Sequence, residues 1–221
     1  MRKPLFLALS LASIGFAQSF RIGLEGGLPL TSAFDTNSIT AVPVGIATTP
    51  PNYTASTKRY TLGATAELDL PFHLAVKADL LYKRLAFDFA SLTPSGSAGT
   101  TTANSWEFPL LAKYGVSKLG PLQPYVEGGV SFRQLQGVNQ TARSICPECA
   151  ITSTQTSHPA ELSHSFTKGI TAGAGLEFRP LLLGVFGELR YTRWTADAFS
   201  APDGGLKSVR NQAELLLGVT F

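Results

Sequence analysis

The sequence lacks any long hydrophobic run once its first seventeen residues are set aside. No later segment holds eighteen consecutive apolar residues, which excludes a protein that crosses a membrane by helices. Cysteine and methionine are scarce, at two and one among 221 residues, whereas glycine occurs 21 times. The apolar residues are dispersed rather than clustered, and this composition is typical of a protein built from many strands.

A strong net charge of either sign is also missing. The formal net charge is +3, and Arg2 and Lys3 contribute two of these charges, which leaves +1 for residues 18–221. The apparent basicity therefore belongs mostly to the N-terminal segment, and nothing in the charge favours binding to nucleic acid.

The N-terminal segment has the pattern of a secretory signal peptide. Arg2 and Lys3 precede an apolar stretch over residues 5–16, and small residues stand at Gly15 and Ala17. About twelve apolar residues are too few to cross a bilayer core, which needs roughly twenty. We therefore expect a signal peptide at 1–17 with cleavage after Ala17, export through the Sec route, and one mature domain at 18–221.

Alternation of apolar and polar residues with a period of two is the dominant pattern. Stretches of about ten residues with this pattern are typical of transmembrane barrel strands, weakly when single and more strongly when repeated. The eight stretches are residues 20–28, 59–70, 74–84, 106–116, 124–133, 166–179, 183–193 and 209–221.

The connections between these stretches alternate in length. Those after the even-numbered stretches are short, at 71–73, 117–123 and 180–182, and those after the odd-numbered ones are long and polar, at 29–58, 85–105, 134–165 and 195–208. Short periplasmic turns and long external loops produce this asymmetry. The sequence therefore predicts an all-β fold, an eight-stranded antiparallel up-and-down transmembrane β-barrel, with both termini in the periplasm.

In this topology every second residue of a strand points outward, which we call the outward parity. The aromatic residues at these positions predict two rings of side chains, as expected at the two membrane interfaces. The ring at the external rim comprises Tyr60, Tyr82, Trp106, Phe132, Phe166 and Tyr191. The ring at the periplasmic rim comprises Phe20, Phe72, Tyr114, Phe178 and Phe221.

The residues that point inward, which have the inward parity, include nine charges of each sign. They predict a charge-balanced network inside the barrel, because unpaired charges in a narrow lumen are costly. The basic members are Arg21, Arg59, Lys77, Lys83, Lys113, Arg133, Arg179, Arg190 and Arg210. The acidic members are Glu25, Glu67, Asp69, Asp79, Glu107, Glu127, Glu177, Glu188 and Glu214. A soluble lipocalin-like barrel would show the inverse pattern, with apolar residues inside.

Five residues fit this pattern poorly. Leu81, Leu111, Phe186 and Leu216 take the inward parity, and Pro109 lies within a strand, where it has no N–H to donate. We expect the four apolar side chains to pack a closed lumen, and Pro109 to mark a β-bulge.

Three segments resemble the bacterial outer-membrane β-barrel domain family, which includes PorT-like proteins and small eight-stranded barrels of the OmpA and OmpX type. They are residues 106–114 (WEFPLLAKY), 124–130 (PYVEGGV) and 186–191 (FGELRY). The resemblance covers most of the mature chain. It implies the fold and the outer membrane as compartment, makes Pro109 a habitual feature, and supplies no catalytic residue.

The alternation over residues 213–221 is similar to the terminal strand by which outer-membrane proteins are recognised during insertion. This resemblance implies that Leu217, Val219 and Phe221 form the signal for the barrel-assembly machinery. An ordinary strand with the same alternation is the alternative interpretation.

Cys146 and Cys149 lie in the third long connection, which the topology places outside the cell. In an oxidising compartment a local disulfide is the simplest outcome. Alternatively, the two thiols and the imidazoles of His158 and His164 could bind zinc, although the spacing lies outside the usual finger pattern.

No catalytic or cofactor-binding motif is recognisable. A lipid-modifying enzyme could use His164 and Ser165, but no motif places an acidic third member, and we predict that the protein is not an enzyme and has no cofactor. Side chains about fill an eight-stranded barrel, which disfavours an open channel.

Two functions remain. In the first, the barrel is structural or interacts with surfaces: it sits in outer-membrane lipid, and its long loops contact an unknown extracellular partner, a glycolipid or a substratum. In the second, it transports small apolar molecules, either as a porin does or with lateral exit through the wall.

Overall fold

The computed structural model describes residues 19–36, 51–91, 96–116, 120–145, 152–180 and 183–221. The predicted signal peptide at 1–17 lies outside these residues. Their regular structure consists of the strands β1 Phe20–Pro29, β2 Phe34–Thr36, β3 Asn52–Ala55, β4 Thr61–Asp69, β5 Leu74–Ala90, β6 Gly96–Gly115, β7 Leu122–Ile145, β8 Ser153–Thr156, β9 Phe166–Phe178, β10 Gly184–Trp194, β11 Leu206–Ser208 and β12 Asn211–Thr220. No helix in the described ranges is long and apolar enough to cross a membrane.

Eight of these strands form a closed antiparallel ring in the order β1, β4, β5, β6, β7, β9, β10 and β12. The pairing of β12 with β1, in which Thr220 lies opposite Gly23, closes the ring. Each ring strand corresponds to one of the eight alternating stretches. The predicted all-β, eight-stranded up-and-down barrel is confirmed.

The alternation of residue types along each strand decides its two faces. On β10, Glu188 and Arg190 point inward and are buried, whereas Val185, Leu189 and Tyr191 point outward and are exposed. The same division recurs around the ring, so the outer wall presents an apolar band and the inner wall is largely polar. This is the distribution of a membrane barrel and the reverse of a soluble one.

The prediction of long loops at 85–105 and 134–165 is wrong in large part. The strand β5 continues to Ala90, β6 begins at Gly96 and β7 continues to Ile145. The extensions of β6 and β7 are rich in threonine, serine and glutamine, and β-branched threonine favours strands, whereas the extension of β5 keeps alternating large apolar residues. The strands β3 and β8 pair with the extended parts of β5 and β7, and β2 pairs with β11.

We call this extension the crown; its described residues are 29–36, 51–60, 84–91, 96–106, 134–145, 152–165 and 195–210. The opposite end, which we call the turn end, holds the short connections, whose described residues are 70–73, 120–121, 179–180 and 183, together with Ser19 and Phe221. In the connection between β4 and β5, Phe72 and His73 both have positive φ, at 65° and 61°.

A hydrophobic core that the sequence analysis did not predict lies inside the crown. Phe34, Phe87 and Phe199 meet edge to face, with ring centroids 5.3 to 5.7 Å apart. The buried residues of this core are Phe34, Tyr53, Leu85, Phe87, Ala103, Leu135, Ala198, Phe199, Ala201 and Leu206. Leu85 and Phe87 continue the inward face of β5, so the crown core lies above the barrel lumen and closes it.

Pro109 does not mark a bulge, contrary to the expectation. It stays opposite Ser131 of β7, and the register shift of this pair of strands lies between Thr102 and Asn104. On the other side, the pairing of β5 with β6 is interrupted between Ala78 and Leu81 but resumes in the same register. The missing N–H of Pro109 therefore removes a hydrogen bond without displacing the strand.

The crown core generates a prediction about stability. We expect Phe87→Ala to destabilise the crown by about 3–5 kcal/mol, since the cavity left in a packed core cannot collapse fully. Limited proteolysis should then cleave the crown much faster than in the wild type, while the unboiled protein still migrates as a folded barrel in a detergent gel. Phe108→Ala, which removes an outward-facing ring, is the control and should leave the cleavage rate unchanged. Equal protease resistance of the two variants would contradict a packed crown.

Candidate functional site

The inner wall of the barrel collects most of the predicted charges. Fourteen of the eighteen are buried in the lumen: Arg21, Glu25, Glu67, Lys77, Asp79, Lys83, Glu107, Lys113, Glu127, Arg133, Glu177, Glu188, Arg190 and Glu214. Asp69 and Arg179 are partly buried at the turn end. Arg59 and Arg210 are exposed.

The charges at the turn end form one group of three cations and three carboxylates. Glu177 accepts hydrogen bonds at 2.8 Å from both Arg21 Nη1 and Lys113 Nζ, and at 3.1 Å from Arg179 Nε. Arg21 Nη2 also donates to Glu67 at 2.7 Å and to Asp69 at 2.5 Å. These bonds cross the lumen and connect β1, β4, β6 and β9.

A second group lies in the middle of the barrel and consists of two cations and four carboxylates. Glu188 accepts hydrogen bonds from Lys77 Nζ at 2.8 Å, Arg190 Nε at 2.7 Å and the Tyr125 hydroxyl at 3.0 Å. Arg190 Nη2 donates to Asp79 at 2.8 Å. The members of the middle group are Glu25, Lys77, Asp79, Glu127, Glu188 and Arg190.

A third group lies on the crown side and is balanced, with two cations and two carboxylates. Lys83 Nζ donates to Glu107 at 2.7 Å and also contacts Glu214. Arg133 Nε donates to the other Glu107 oxygen at 3.1 Å, and the Arg133 guanidinium stacks 3.7 Å from the centroid of the Trp194 ring.

The predicted balance of nine lumen charges of each sign is wrong, because Arg59 and Arg210 do not point into the lumen. Both precede the first residue of a ring strand, so the inward parity of that strand does not extend to them. Arg210 instead donates two hydrogen bonds of 2.7 Å to Asp197 in the crown, and these bonds hold the pKa of Asp197 below its ordinary value. Among the described residues, the lumen network therefore has seven cations and nine carboxylates.

Both excess carboxylates belong to the middle group, and Glu25 is the least well paired of its members. Neither Glu25 oxygen has a hydrogen-bond partner, and the nearest cation, Lys77 Nζ, lies 3.7 Å away. Glu25 is nevertheless buried. The middle group is therefore held together by Lys77 and Arg190, each of which contacts several carboxylates.

Apolar and aromatic side chains fill the space that the charges leave. Leu81, Leu111, Phe186 and Leu216 are buried in the lumen, as the inward parity predicted. Lys77 Nζ lies 4.7 Å from the Phe186 ring centroid, a favourable cation–π distance. The lumen in the described residues is thus packed rather than open, although a cleft lies at the turn end and another in the crown.

The outward aromatic residues lie at the two ends of the apolar band. At the turn end, Phe20, Phe72, Tyr114, Phe178 and Phe221 are all exposed. On the crown side, Tyr82 lies opposite Trp106 with ring centroids 5.1 Å apart, and Phe132 stacks on Phe166 at 6.2 Å. Tyr60 and Tyr191 belong to the same side, where the Tyr191 hydroxyl donates to Asn211.

The residues considered for disulfide and zinc chemistry are only partly described. Cys146 and Cys149 lie outside the described residues. His158 Nδ1 lies 3.1 Å from Ser157 Oγ, and His164 Nδ1 lies 3.0 Å from the backbone carbonyl oxygen of Asp197. The part of the chain that the structure describes contains no group of three or more histidine, cysteine, aspartate or glutamate side chains suited to a metal ion.

Sequence reasoning missed several residues that complete the site. Tyr125 and Trp194 are buried against the lumen charges, and Leu85 and Phe87 begin the crown core. The signal for the last two was present, because Leu85, Phe87 and Phe89 extend the inward parity of β5 beyond residue 84.

Comparison with known proteins gives one family and several similar structures. The family model described as an outer membrane protein beta-barrel domain matches residues 16–193. The outer membrane protein OprG from Pseudomonas aeruginosa is 15% identical, with 91% of this chain and 94% of that chain covered and a TM-score of 0.51. Neisserial surface protein A is 11% identical, with 93% and 98% covered and a TM-score of 0.41. No curated protein matches the chain.

The charge imbalance of the middle group generates a second prediction. We expect Lys77→Met to lower the free energy of unfolding by about 3–5 kcal/mol, because it leaves buried carboxylates without their shared cation. Glu25→Gln should leave that free energy unchanged or raise it, since no hydrogen bond is lost and one excess negative charge disappears. Urea unfolding in lipid vesicles, followed by tryptophan fluorescence, measures both. A larger loss for Glu25→Gln than for Lys77→Met would contradict this account.

Proposed function

Since the chain belongs to the outer membrane protein beta-barrel domain family, we propose that it is a sealed anchor in the bacterial outer membrane whose crown contacts a partner or surface outside the cell. The observation that carries this proposal is the combination of a packed lumen with a folded crown. Three charge groups and four apolar side chains occupy the barrel, and a hydrophobic core closes its crown end. A structure of this kind supports binding at its rim better than passage through its centre.

The proposed orientation places both termini in the periplasm and the crown outside the cell. Two observations support it. Ser19 and Phe221 lie at the end with the short turns, and the long extensions of β5, β6 and β7 all lie at the other end. Short periplasmic turns and long external segments are the usual arrangement of bacterial barrels.

The crown offers a surface suited to adhesion or partner binding rather than to catalysis. The four residues of β8, Ser153–Thr156, are all exposed and polar, and they form an outer edge of the crown sheet. An exposed edge strand offers backbone donors and acceptors as well as side chains to a partner. We propose a non-enzymatic role on these grounds.

Transport of small apolar molecules is the alternative function, and one observation favours it. The crown cleft is lined by wall residues 31–33 and 57–60, which is compatible with lateral exit. Against it, the ion pairs of Lys83 with Glu107 and of Arg133 with Glu107 lie beneath this cleft, and the middle group lies deeper. A route for an apolar molecule would have to separate these buried charges.

Shortening the crown separates the two functions. The variant replaces residues 89–99 by a two-residue turn, which removes the tip of the β5–β6 hairpin but keeps Phe87 and its partner Thr101. We expect loss of binding to cells or surfaces, unchanged uptake of small apolar molecules, and no conductance above background in planar bilayers before or after shortening. Unboiled gel migration controls for folding. Lost uptake with intact binding, or conductance well above background in the full chain, would overturn the proposed role.

We also propose that Leu217, Val219 and Phe221 contact the barrel-assembly machinery during insertion. Their outward parity on and just after β12 leaves Leu217 and Phe221 exposed, and β12 is the strand that closes the ring with β1. The outer-membrane lipid then surrounds the same residues in the inserted barrel.

Two phenylalanines at the same end of the barrel allow a matched test of this contact. We expect Phe221→Ala to slow insertion into vesicles that contain the assembly machinery while leaving the urea midpoint of the inserted barrel nearly unchanged. Phe178→Ala removes a comparably exposed ring of the turn end and should not slow insertion. If both variants insert at the same reduced rate, the ring acts only as an interface anchor and the assembly role is wrong.

A further inference from the structure

The barrel wall divides on one side of the crown. The last pair that joins β1 to β4 is Gly27 with Thr61. Beyond this pair, Leu30 N donates to the Ala213 carbonyl of β12 at 2.8 Å, whereas Ser56 N donates to the Ala86 carbonyl of β5 at 3.0 Å. The two segments therefore follow different neighbours, and a cleft lined by residues of both opens between them.

The crown closes again above this cleft, which makes it a window rather than a slot. Phe34, just after the first segment, and Tyr53, just before the second, both belong to the crown core, where each ring packs against Phe87. The window is therefore framed by a strand pair on the barrel side and by packed aromatic rings on the other side.

The floor of the window is charge-matched. It is formed by the crown-side group, in which Lys83 and Arg133 bond to Glu107, and Lys83 also contacts Glu214. Arg133 Nη2 donates in addition to Gln212 at 2.6 Å. These side chains satisfy one another, so the floor by itself attracts neither sign of charge.

The mouth of the window carries two further cations, Lys58 and Arg59, and both side chains are exposed. Among the residues that the structure describes, neither side chain forms an ion pair or a hydrogen bond. The window as a whole thus has two unmatched positive charges, concentrated on adjacent residues at its entrance.

The surface on the barrel side of the mouth is apolar and faces outward. Leu28, Leu30 and Leu62 are each more than half exposed, and they flank the strand pair at which the window begins. Tyr60, a member of the crown-side aromatic ring, lies between this apolar surface and the two cations. The mouth is therefore at the level where a membrane changes from acyl chain to headgroup.

We propose that this window binds the phosphate-bearing headgroup of a membrane amphiphile. The phosphate contacts Lys58 and Arg59, and the acyl part lies along Leu28, Leu30 and Leu62 on the outer wall. Phosphate is the anion class that paired lysine and arginine recognise best, and the apolar surface beside them selects an amphiphile over a free ion.

Trp194 offers a spectroscopic reporter for binding, because its ring stacks on Arg133 and its Nε1 donates to Gln212, two residues of the window. Trp106→Phe leaves Trp194 as the only tryptophan of the chain. In this background, a short-chain phosphatidylglycerol is titrated into the full protein in neutral detergent. We expect a saturable change in Trp194 emission that the matching phosphatidylcholine does not produce.

Removing both mouth cations, as Lys58→Gln with Arg59→Gln, should weaken phosphatidylglycerol binding about thirtyfold, from the usual contribution of a basic residue at a membrane surface. Lys168→Gln with Arg193→Gln is the matched control, because these cations are exposed on β9 and β10, away from the window, and their loss should leave the affinity unchanged.

Three outcomes would overturn the proposal. Absence of a saturable response to phosphatidylglycerol would show that the window takes no such headgroup. Equal weakening by the two double variants would assign binding to general surface charge. Inorganic phosphate binding as tightly as phosphatidylglycerol would make the window a site for a free anion and remove the amphiphile.

Discussion

The constraint on which the structure depends is that charges inside a closed ring of eight strands must be neutralised by other side chains of the same inner wall. The ring has no free strand edge, and most of these charged side chains are buried from solvent. Arg179 bonds to Glu177, two residues before it, but most cations of the network meet carboxylates from other strands, as Arg21 of β1 meets Glu177 of β9. Because these bonds span the ring, they fix the diameter and the register together.

The crown is stabilised by apolar packing rather than by ion pairs. Above the third charge group the inward residues change from Lys83 to Leu85 and Phe87 on the same face of β5. The lumen thus passes from ion pairs to an apolar core without a change of strand. The ring strands in this way continue into the crown, where β2 and β11 form a separate pair, and the crown core holds these parts together by packing.

Most of the fold followed from parity, because an outward apolar and inward polar pattern is the only arrangement of eight such strands that suits a membrane. The predictions that were wrong concern residues to which the alternation of the barrel strands does not apply. In the crown, the threonine- and serine-rich extensions of β6 and β7 lack the large apolar residues of the barrel wall, so strands there resembled loops in the sequence. Arg59 and Arg210 precede the first paired residues of their strands. At such positions the local backbone, and not the alternation of the strand, determines where the side chain points. The middle group shows a further limit, since parity counts charges but does not reveal that Glu25 has no hydrogen-bond partner.

The pairing of Gly23 with Thr220 brings together the two strands that are farthest apart in the chain. Loop-closure entropy opposes such a contact until the intervening strands have formed, so the ring joins late. Glu25 of β1 and Glu188 and Arg190 of β10 belong to the same buried group, and they meet only when β12 docks between their strands. The central charges therefore lose their water in the same step in which the ring closes. Until β12 pairs with β1, the open sheet can keep these charges hydrated.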